Sequence, residues 1–349
     1  MASSVVGVDI GSTSVRAVEV GATSKSKPTL LRFLEIALPE GAVSRGEVIE
    51  PHTVGAIIKR IWSTGGFKSK NVVLGMGNQR VLARDLTVPR ASLAHIREAL
   101  PFQVQDMLPV PVADAILDFY PISESTTENG PVVHGLLIAA IKDAVLGNVR
   151  AVQQAGLNPL EVDLIPFALS RVLINRAGLK GTVALIDVGA NAASVVITID
   201  GVPRFVRIIP AGGEDLTQAL KVRLEVDAAE AEALKKRLGL ATQVATGEER
   251  AAVEIIYEVT GELLGSLRNT INYFMNLGSQ DPIAQILLTG GGAQLAGFQE
   301  ALAEITRIPV IEPDPFATIA LSRALDAEDL QRNRTSMTVA LGLALGSLG

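Results

Sequence analysis

Apolar residues recur along the chain with the two periods of strands and helices, and the switches between them mark out the elements. Val5–Ile10 is a short apolar run that stops at Gly11-Ser12-Thr13, and Ser14–Val20 resumes as a second run. Gly21–Pro28 is small and polar, which suits a turn, and Leu30–Ala37 follows as a third strand. Over Thr53–Trp62, Val54, Ile57, Ile58 and Ile61 share one helical face, and Val72–Gly75 reads as strand again. Arg84–Val88 is strand-like. Ser92 opens a helix with Leu93, Ile96, Leu100, Val104 and Met107 on its apolar side. Leu108-Pro109-Val110-Pro111 ends that helix, because proline has no N–H to donate and restricts the residue before it. Ile116–Ile122 and Val132–Ala140 flank the polar stretch Ser123–Gly130, and Asp143–Ala155 is helical. The region 83–158 therefore reads as a small α+β insert.

Beyond it, Leu160–Leu164 is strand, Phe167–Arg176 helix, and Thr182–Asp187 an apolar strand running into Gly189-Ala190-Asn191. Ser194–Ile199 and Pro203–Ile209 form a hairpin through Asp200-Gly201. Gly212–Leu224, Ala228–Leu238 and Glu248–Asn276 are helical, Ile283–Leu288 is strand, and Leu295–Ile305 and Thr338–Leu348 are helical.

One unit occurs twice. Val8-Asp9-Ile10-Gly11-Ser12 matches Ile186-Asp187-Val188-Gly189-Ala190, with the aspartates 178 residues apart, close to half the chain. Each aspartate ends a buried strand, and each is followed by a small-residue turn and a second strand. A glycine-bearing turn of this kind offers backbone N–H groups to an anion and lets a ligand approach the main chain. A carboxylate at the strand end can hold a divalent cation against phosphates, usually through water. Two such units facing each other would grip a magnesium polyphosphate from both sides of a cleft. Leu287-Leu288-Thr289-Gly290-Gly291-Gly292-Ala293 adds a strand that delivers three glycines to a helix start, a bare backbone on which adenine or phosphate can lie. A dinucleotide fingerprint would need a glycine at Leu295, which weakens a Rossmann reading, and no Gly-x-x-x-x-Gly-Lys-Ser/Thr occurs, so a P-loop is absent.

Composition narrows the chemistry. The 349 residues suit two domains, and 48% hydrophobic with 19% charged residues easily build a large core. There are no cysteines, which removes disulfides, thiolate metal sites and cysteine nucleophiles. His52, His95 and His134 are scattered, so a histidine metal site is not expected. The net charge of −6 with no basic block argues against nucleic acid. Mean hydropathy is +0.34, yet no run of about 18 apolar residues occurs and the start has no signal-peptide pattern, so a cytoplasmic protein is expected. Thr338–Leu348 lacks the basic face of a membrane-surface helix and reads as a buried hinge helix.

These motifs resemble the actin-like ATPase superfamily. Val6–Ser14 and Leu185–Asn191 look like its two phosphate motifs, Leu288–Ala293 its adenosine motif, and Val162–Leu173 and Thr338–Leu348 its connecting helices. The stretch Val8–Val20 is similar to the opening of the PilM family, actin-like proteins of type IV pilus assembly related to FtsA. Further similarity lies in Val88-Pro89 with the helix after it, Leu108–Pro111, Gly212–Thr217 and Glu230–Lys235. The resemblance implies an α/β, ribonuclease H-like fold of two related domains around a nucleotide cleft, with a small α+β insert in the first. The first domain would comprise 1–82, 159–180 and 320–349, the insert 83–158, and the second domain 181–319 with a helical part near 220–282.

It also implies ATP and magnesium as cofactors. Asp9 and Asp187 would face the metal through water; Gly11, Ser12, Thr13, Ser14 and Arg16 would surround the terminal phosphates, with Gly189, Ala190 and Asn191 opposite. Gly212 and Gly213 begin a helix suited to a polar ligand, Glu232 and Lys235 would serve ribose and adenine, and Gly290, Gly291 and Gly292 the adenosine. Two departures stand out. The family often carries lysine where this chain has Arg16. Many relatives place Glu or Gln near the proline of Asp163-Leu164-Ile165-Pro166, whereas Ile165 here cannot orient water, so ATP is expected to bind but to be hydrolysed slowly. The expected partner is a PilN-like inner-membrane protein, through its cytoplasmic N-terminal peptide, with Leu108, Val110, Ile116 and Phe119 of the insert as groove material or insert core. That partner would recruit the protein to the membrane's inner face without direct insertion; homo-oligomers are compatible by analogy of fold. A small-molecule kinase using Asp163 as base, and an FtsA-like division protein binding lipid directly, are the alternatives.

Overall fold

A computed structural model describes residues 4–21, 27–241, 246–278 and 282–346. β1 (Val5–Ile10) pairs antiparallel with β2 (Ser14–Gly21), and β2 with β3 (Thr29–Ala37). All six residues of β1 are buried, as expected of a strand covered on both faces. A two-residue hairpin, β4 (Val43–Ser44) and β5 (Glu47–Val48), precedes α1 (Pro51–Gly65). β6 (Asn71–Met76) returns parallel to β1.

β7 (Val81–Pro89), α2 (Leu93–Gln103), β8 (Ala115–Thr127) and β9 (Gly130–Ile141) form the insert, with sheet order β7-β9-β8. Its own small core holds Val88, Ile96, Leu100, Phe119, Val133 and Leu137. Ser123–Gly130, expected as a turn, is mostly strand: Ser123, Ser125 and Thr127 pair with β9, leaving Glu128-Asn129 as the connection. The polarity there marks strand faces open to water, which composition alone does not separate from a turn.

α3 (Lys142–Gln154), β10 (Asn158–Leu164) and α4 (Ile165–Ser170) return to the main body. α3 differs from its expected place in the insert. Its Ala151 and Val152 pack with Val54, Ile58 and Ile61 of α1 in the core beside the first sheet. The unit with a sheet of its own is thus narrower than 83–158, and its ends meet where the Ile141 N–H donates to the Arg80 carbonyl at 2.9 Å.

The second half repeats the first. β11 (Thr182–Val188), β12 (Ala193–Ile199) and β13 (Val202–Ile209) form the antiparallel meander. α5 (Gly213–Leu224), α6 (Ala228–Leu238) and α7 (Gly247–Asn276) pack together around Leu216, Leu220, Ala231 and Ile256. β14 (Gln285–Thr289) lies parallel to β11, then α8 (Phe298–Thr306) and β15 (Val310–Ile311) follow. α8 starts later than the expected Leu295, because residues 291–294 form a 3-10 turn and Gly297 has φ +85°. The strand orders are β3-β2-β1-β6-β10 and β13-β12-β11-β14-β15, the same arrangement twice, with the short β16 (Ala320–Leu321) added beside β3.

α9 (Ala327–Asn333) leads to α10 (Thr338–Gly346), which is buried from Ala340 to Leu345 and packs on β1, β2, β6 and α4. Two glycines permit this approach: a Cβ at Gly7 would stand 1.9 Å from the Ala340 carbonyl oxygen, and one at Gly342 2.2 Å from that of Ala168. Leu348 of the expected C-terminal helix and most of the Gly21–Pro28 turn lie outside the described residues.

Candidate functional site

One cleft of about 1260 Å³ gathers the residues singled out in the sequence. Asp9, Gly11, Ser12, Thr13 and Arg16 line it from the first half, and Asp187, Gly189, Ala190, Asn191, Gly212, Gly213, Glu232, Lys235, Gly290, Gly291 and Gly292 from the second. Ser14 does not line it: its hydroxyl is buried and donates to Glu35 Oε1 at 2.6 Å.

The two turns are built alike down to their hydrogen bonds. The Gly11 N–H donates to the Ser14 carbonyl at 3.0 Å, and the Gly189 N–H to the Ala192 carbonyl at 2.9 Å, the same contact 178 residues on. The aspartates diverge in their partners. Cross-strand register sets Arg16 opposite Asp9 and Glu35 opposite Arg16, so three charges of alternating sign run across β1, β2 and β3. The Arg16 guanidinium bridges Asp9 Oδ2 at 3.1 Å and Glu35 Oε1 at 3.0 Å. Burial raises the Asp9 carboxyl, against the pull of Arg16. Burial would also raise Glu35, but Arg16 and the Ser14 hydroxyl hold it below the usual carboxylate range.

Asp187 has Ser194 opposite it where Asp9 has a cation. Burial, reinforced by repulsion from Asp9, pushes its carboxyl up to about 7. Two carboxylates that repel across one cleft suit a divalent cation. With no cluster of three or more His, Cys, Asp or Glu among the described residues, the donor set fits magnesium carried on phosphates and water.

The glycines on the second side allow close packing. Gly290 has φ +95°, and a Cβ there would stand 2.4 Å from the Val188 carbonyl oxygen. A Cβ at Gly212 would meet the Ala190 and Gly189 carbonyl oxygens at 2.4 and 2.5 Å. The first N–H groups of α5 are already engaged: Gly212 donates to Asp215 Oδ2 at 2.8 Å, Gly213 to the Gly189 carbonyl at 3.0 Å and Glu214 to that of Ala190 at 2.8 Å. The helix start therefore clamps the second turn, and its contribution to a ligand is bare surface more than free donors.

Glu232 and Lys235 form the ion pair their spacing allows, and Lys235 Nζ also donates to Thr217 Oγ1 at 2.7 Å and the Gly213 carbonyl at 3.1 Å. Burial would raise Glu232, but bonds from Lys235 and Thr217 hold it low. Ile165 lines the cleft and packs on Gly75 and Gly77, where a Cβ would stand 2.8 Å from it. Asp163 is absent from the lining and pairs with Arg171 at 2.9 Å.

Some lining residues escaped the sequence reading. Glu35 was detectable from the register of a tight β1-β2-β3 meander. Asn148 of α3 lines the cleft with a buried Oδ1 that has no hydrogen-bond partner among the described residues, and Arg45 and Asn78 reach it from the β4–β5 hairpin and the loop after β6. No local motif marks them.

Two repeated α/β halves closing on a cleft of glycine turns and paired aspartates define an actin-like protein. Among solved structures, MreB5 of Spiroplasma citri bound to AMPPNP shares the fold over 97% of this chain and 94% of its own, at 11% identity and a TM-score of 0.53. A chain of a PilM-PilN type IV pilus biogenesis complex superposes over 99% of this chain and 98% of its own, at 27% identity and a TM-score of 0.87. The cell division protein FtsA of Bacillus subtilis is 22% identical over 351 residues, covering 86% of this chain and 76% of its own. The profile of the family described as type IV pilus assembly protein PilM matches residues 7–348, and the chain belongs to that family.

Proposed function

We propose that this protein is an ATP-binding, actin-like cytoplasmic scaffold of type IV pilus assembly. It binds the cytoplasmic N-terminal peptide of a PilN-like inner-membrane protein through the insert, and its ATP state governs assembly of the machine. The observation that carries the nucleotide reading is the duplicated aspartate–glycine turn, with both copies lining one cleft. Asp9 and Asp187 hold magnesium through water, and the metal supplies charge neutralisation between the carboxylates and the phosphates. Gly11–Thr13 and Gly189–Asn191 orient the phosphate chain, Glu232 and Lys235 the ribose and base, and Gly290–Gly292 the adenosine.

Two observations bear on use of the nucleotide. Ile165 lines the cleft, and the family resemblance puts a water-orienting Glu or Gln at its place, so ATP acts as a conformational ligand that turns over slowly. Two residues on, Phe167 packs against Tyr120 of the insert, the rings tilted and their centroids 4.8 Å apart, giving the cleft a packed route to the partner-binding unit. The partner brings the protein to the inner face of the membrane; no described helix is long and apolar enough to cross it. The kinase alternative is disfavoured because Asp163 is paired with Arg171 outside the cleft lining. The lipid-binding alternative is disfavoured for α10, which is buried.

The test is fluorescence anisotropy with a labelled N-terminal peptide of the PilN-like protein from the same genome, with and without magnesium ATP, following phosphate release in the same samples. Saturable binding that responds to ATP, with little phosphate released, is expected. A variant lacking 82–140, closed by a short turn between Arg80 and Ile141, should lose the peptide and keep ATP. Rapid steady-state turnover, or full peptide binding by that folded variant, contradicts the reading.

A further inference from the structure

Four cations line the cleft: Arg16, Arg45, Lys235 and Lys236. Arg16 is held by Asp9 and Glu35, and both lysines by Glu232. Arg45 is exposed and, among the described residues, makes no ion pair or side-chain hydrogen bond. It is thus the cleft cation whose charge is left for a ligand.

Its position is fixed by the main chain. The segment carrying it leaves β3 beside the first phosphate turn, where the Leu38 N–H donates to the Thr13 carbonyl at 2.8 Å. It then forms the β4–β5 hairpin, whose two connecting residues are Arg45 and Gly46. Asn78 Nδ2 donates to the Gly46 carbonyl at 2.6 Å, and Arg80 Nε pairs with Glu47 at 2.5 Å. Asn78 lies just beyond β6, whose register with β1 sets Val8 beside Leu74, so the hairpin is anchored at the strand ends that carry Asp9 and Gly11. Glu232 and Lys235 belong to the α5–α6 side.

The backbone at Arg45 is costly. Arg45 has φ +48° and Gly46 φ +76°. A two-residue hairpin with both central residues at positive φ favours Asn, Asp or Gly at the first place. Arginine gains nothing there from the turn, and strain of this kind gathers where a side chain serves a ligand.

Resting on the nucleotide reading above, we infer that Arg45 is the residue that distinguishes a nucleoside triphosphate from a diphosphate, its guanidinium on the terminal phosphate beside the Gly11–Thr13 turn. Arginine suits phosphate oxygens through its planar fork of donors. The β4–β5 hairpin thereby becomes the element through which the first half senses the third phosphate.

The test is equilibrium titration of the full chain with ATPγS or ADP in magnesium, for wild type, R45A and R45N. Both variants should lose about tenfold in ATPγS affinity, a charge-assisted contact's worth, while ADP changes by less than about twofold. R45N should also melt no lower than wild type, because asparagine tolerates the left-handed backbone. Equal losses for both nucleotides, no loss for either, or a lowered melting temperature in R45N overturns the assignment. Wild type that binds ATPγS alongside R45A of unchanged affinity overturns the role of Arg45 alone; wild type that binds neither nucleotide overturns the nucleotide reading with it.

Discussion

At the scale of residues, the two halves of the cleft differ most at their aspartates. Asp9 faces Arg16, while the matching position opposite Asp187 is Ser194, and the Asp187 carboxyl rises to about 7 through burial and the charge of Asp9. A raised acid means that the folded protein keeps a proton which the unfolded chain releases. Stability is therefore highest below the unfolded value of 3.8, falls as pH rises towards about 7, and is level above that. The carboxylate is partly open to the cleft, so screening limits the expected cost to about 1–2 kcal/mol. In nucleotide-free protein, D187N should raise the urea midpoint at pH 8 and leave it nearly unchanged at pH 4. An equal gain at both values would contradict the assignment. Both aspartates and the triple glycine were legible in the sequence because each sits in a contiguous motif. Glu35, Arg45 and Asn148 were not, since strand register, a strained hairpin and a distant helix bring them to the cleft.

At the scale of elements, glycine decides where helices can lie. α10 was readable as buried from its unbroken apolar and small residues, but the sequence could not say what it packs on. In the fold it crosses β1 at Gly7 and α4 at Gly342, and Arg171 of the π turn after α4 donates to the Gly342 carbonyl at 2.7 Å. Alanine at 342 gains up to about 1 kcal/mol of helix propensity, yet its Cβ would stand 2.2 Å from the Ala168 carbonyl oxygen. Overpacking of that kind costs about 1–3 kcal/mol. G342A should therefore lower the chemical-denaturation midpoint, and a midpoint at or above wild type would show that the crossing has slack. The insert shows the opposite limit. Its strands were legible apart from the polar end of β8, but the expectation that α3 belongs with them fails because chain order does not reveal that Ala151 and Val152 pack under α1.

At the scale of the whole molecule, a repeat seen as five matched residues in each half extends to strand order and to the closing hydrogen bond of each turn. The division into two related halves was therefore open to the sequence. The return of 159–180 and 320–349 to the first half is expected from the family resemblance and not from periodicity; in the fold β10 and β16 join the first sheet from far along the chain, and α10 packs back on β1. The shortest strands and α9 left no periodic signal, being too brief to complete one. The duplicated turns argue for one magnesium nucleotide held by both halves at once. Calorimetric titration of ATP into the wild-type protein, D9N and D187N, each with magnesium and with chelator, tests this most directly. One ATP per chain, bound in magnesium and weakened at least about tenfold by chelator or by either substitution, is the predicted result. Binding indifferent to magnesium and to both aspartates would contradict it.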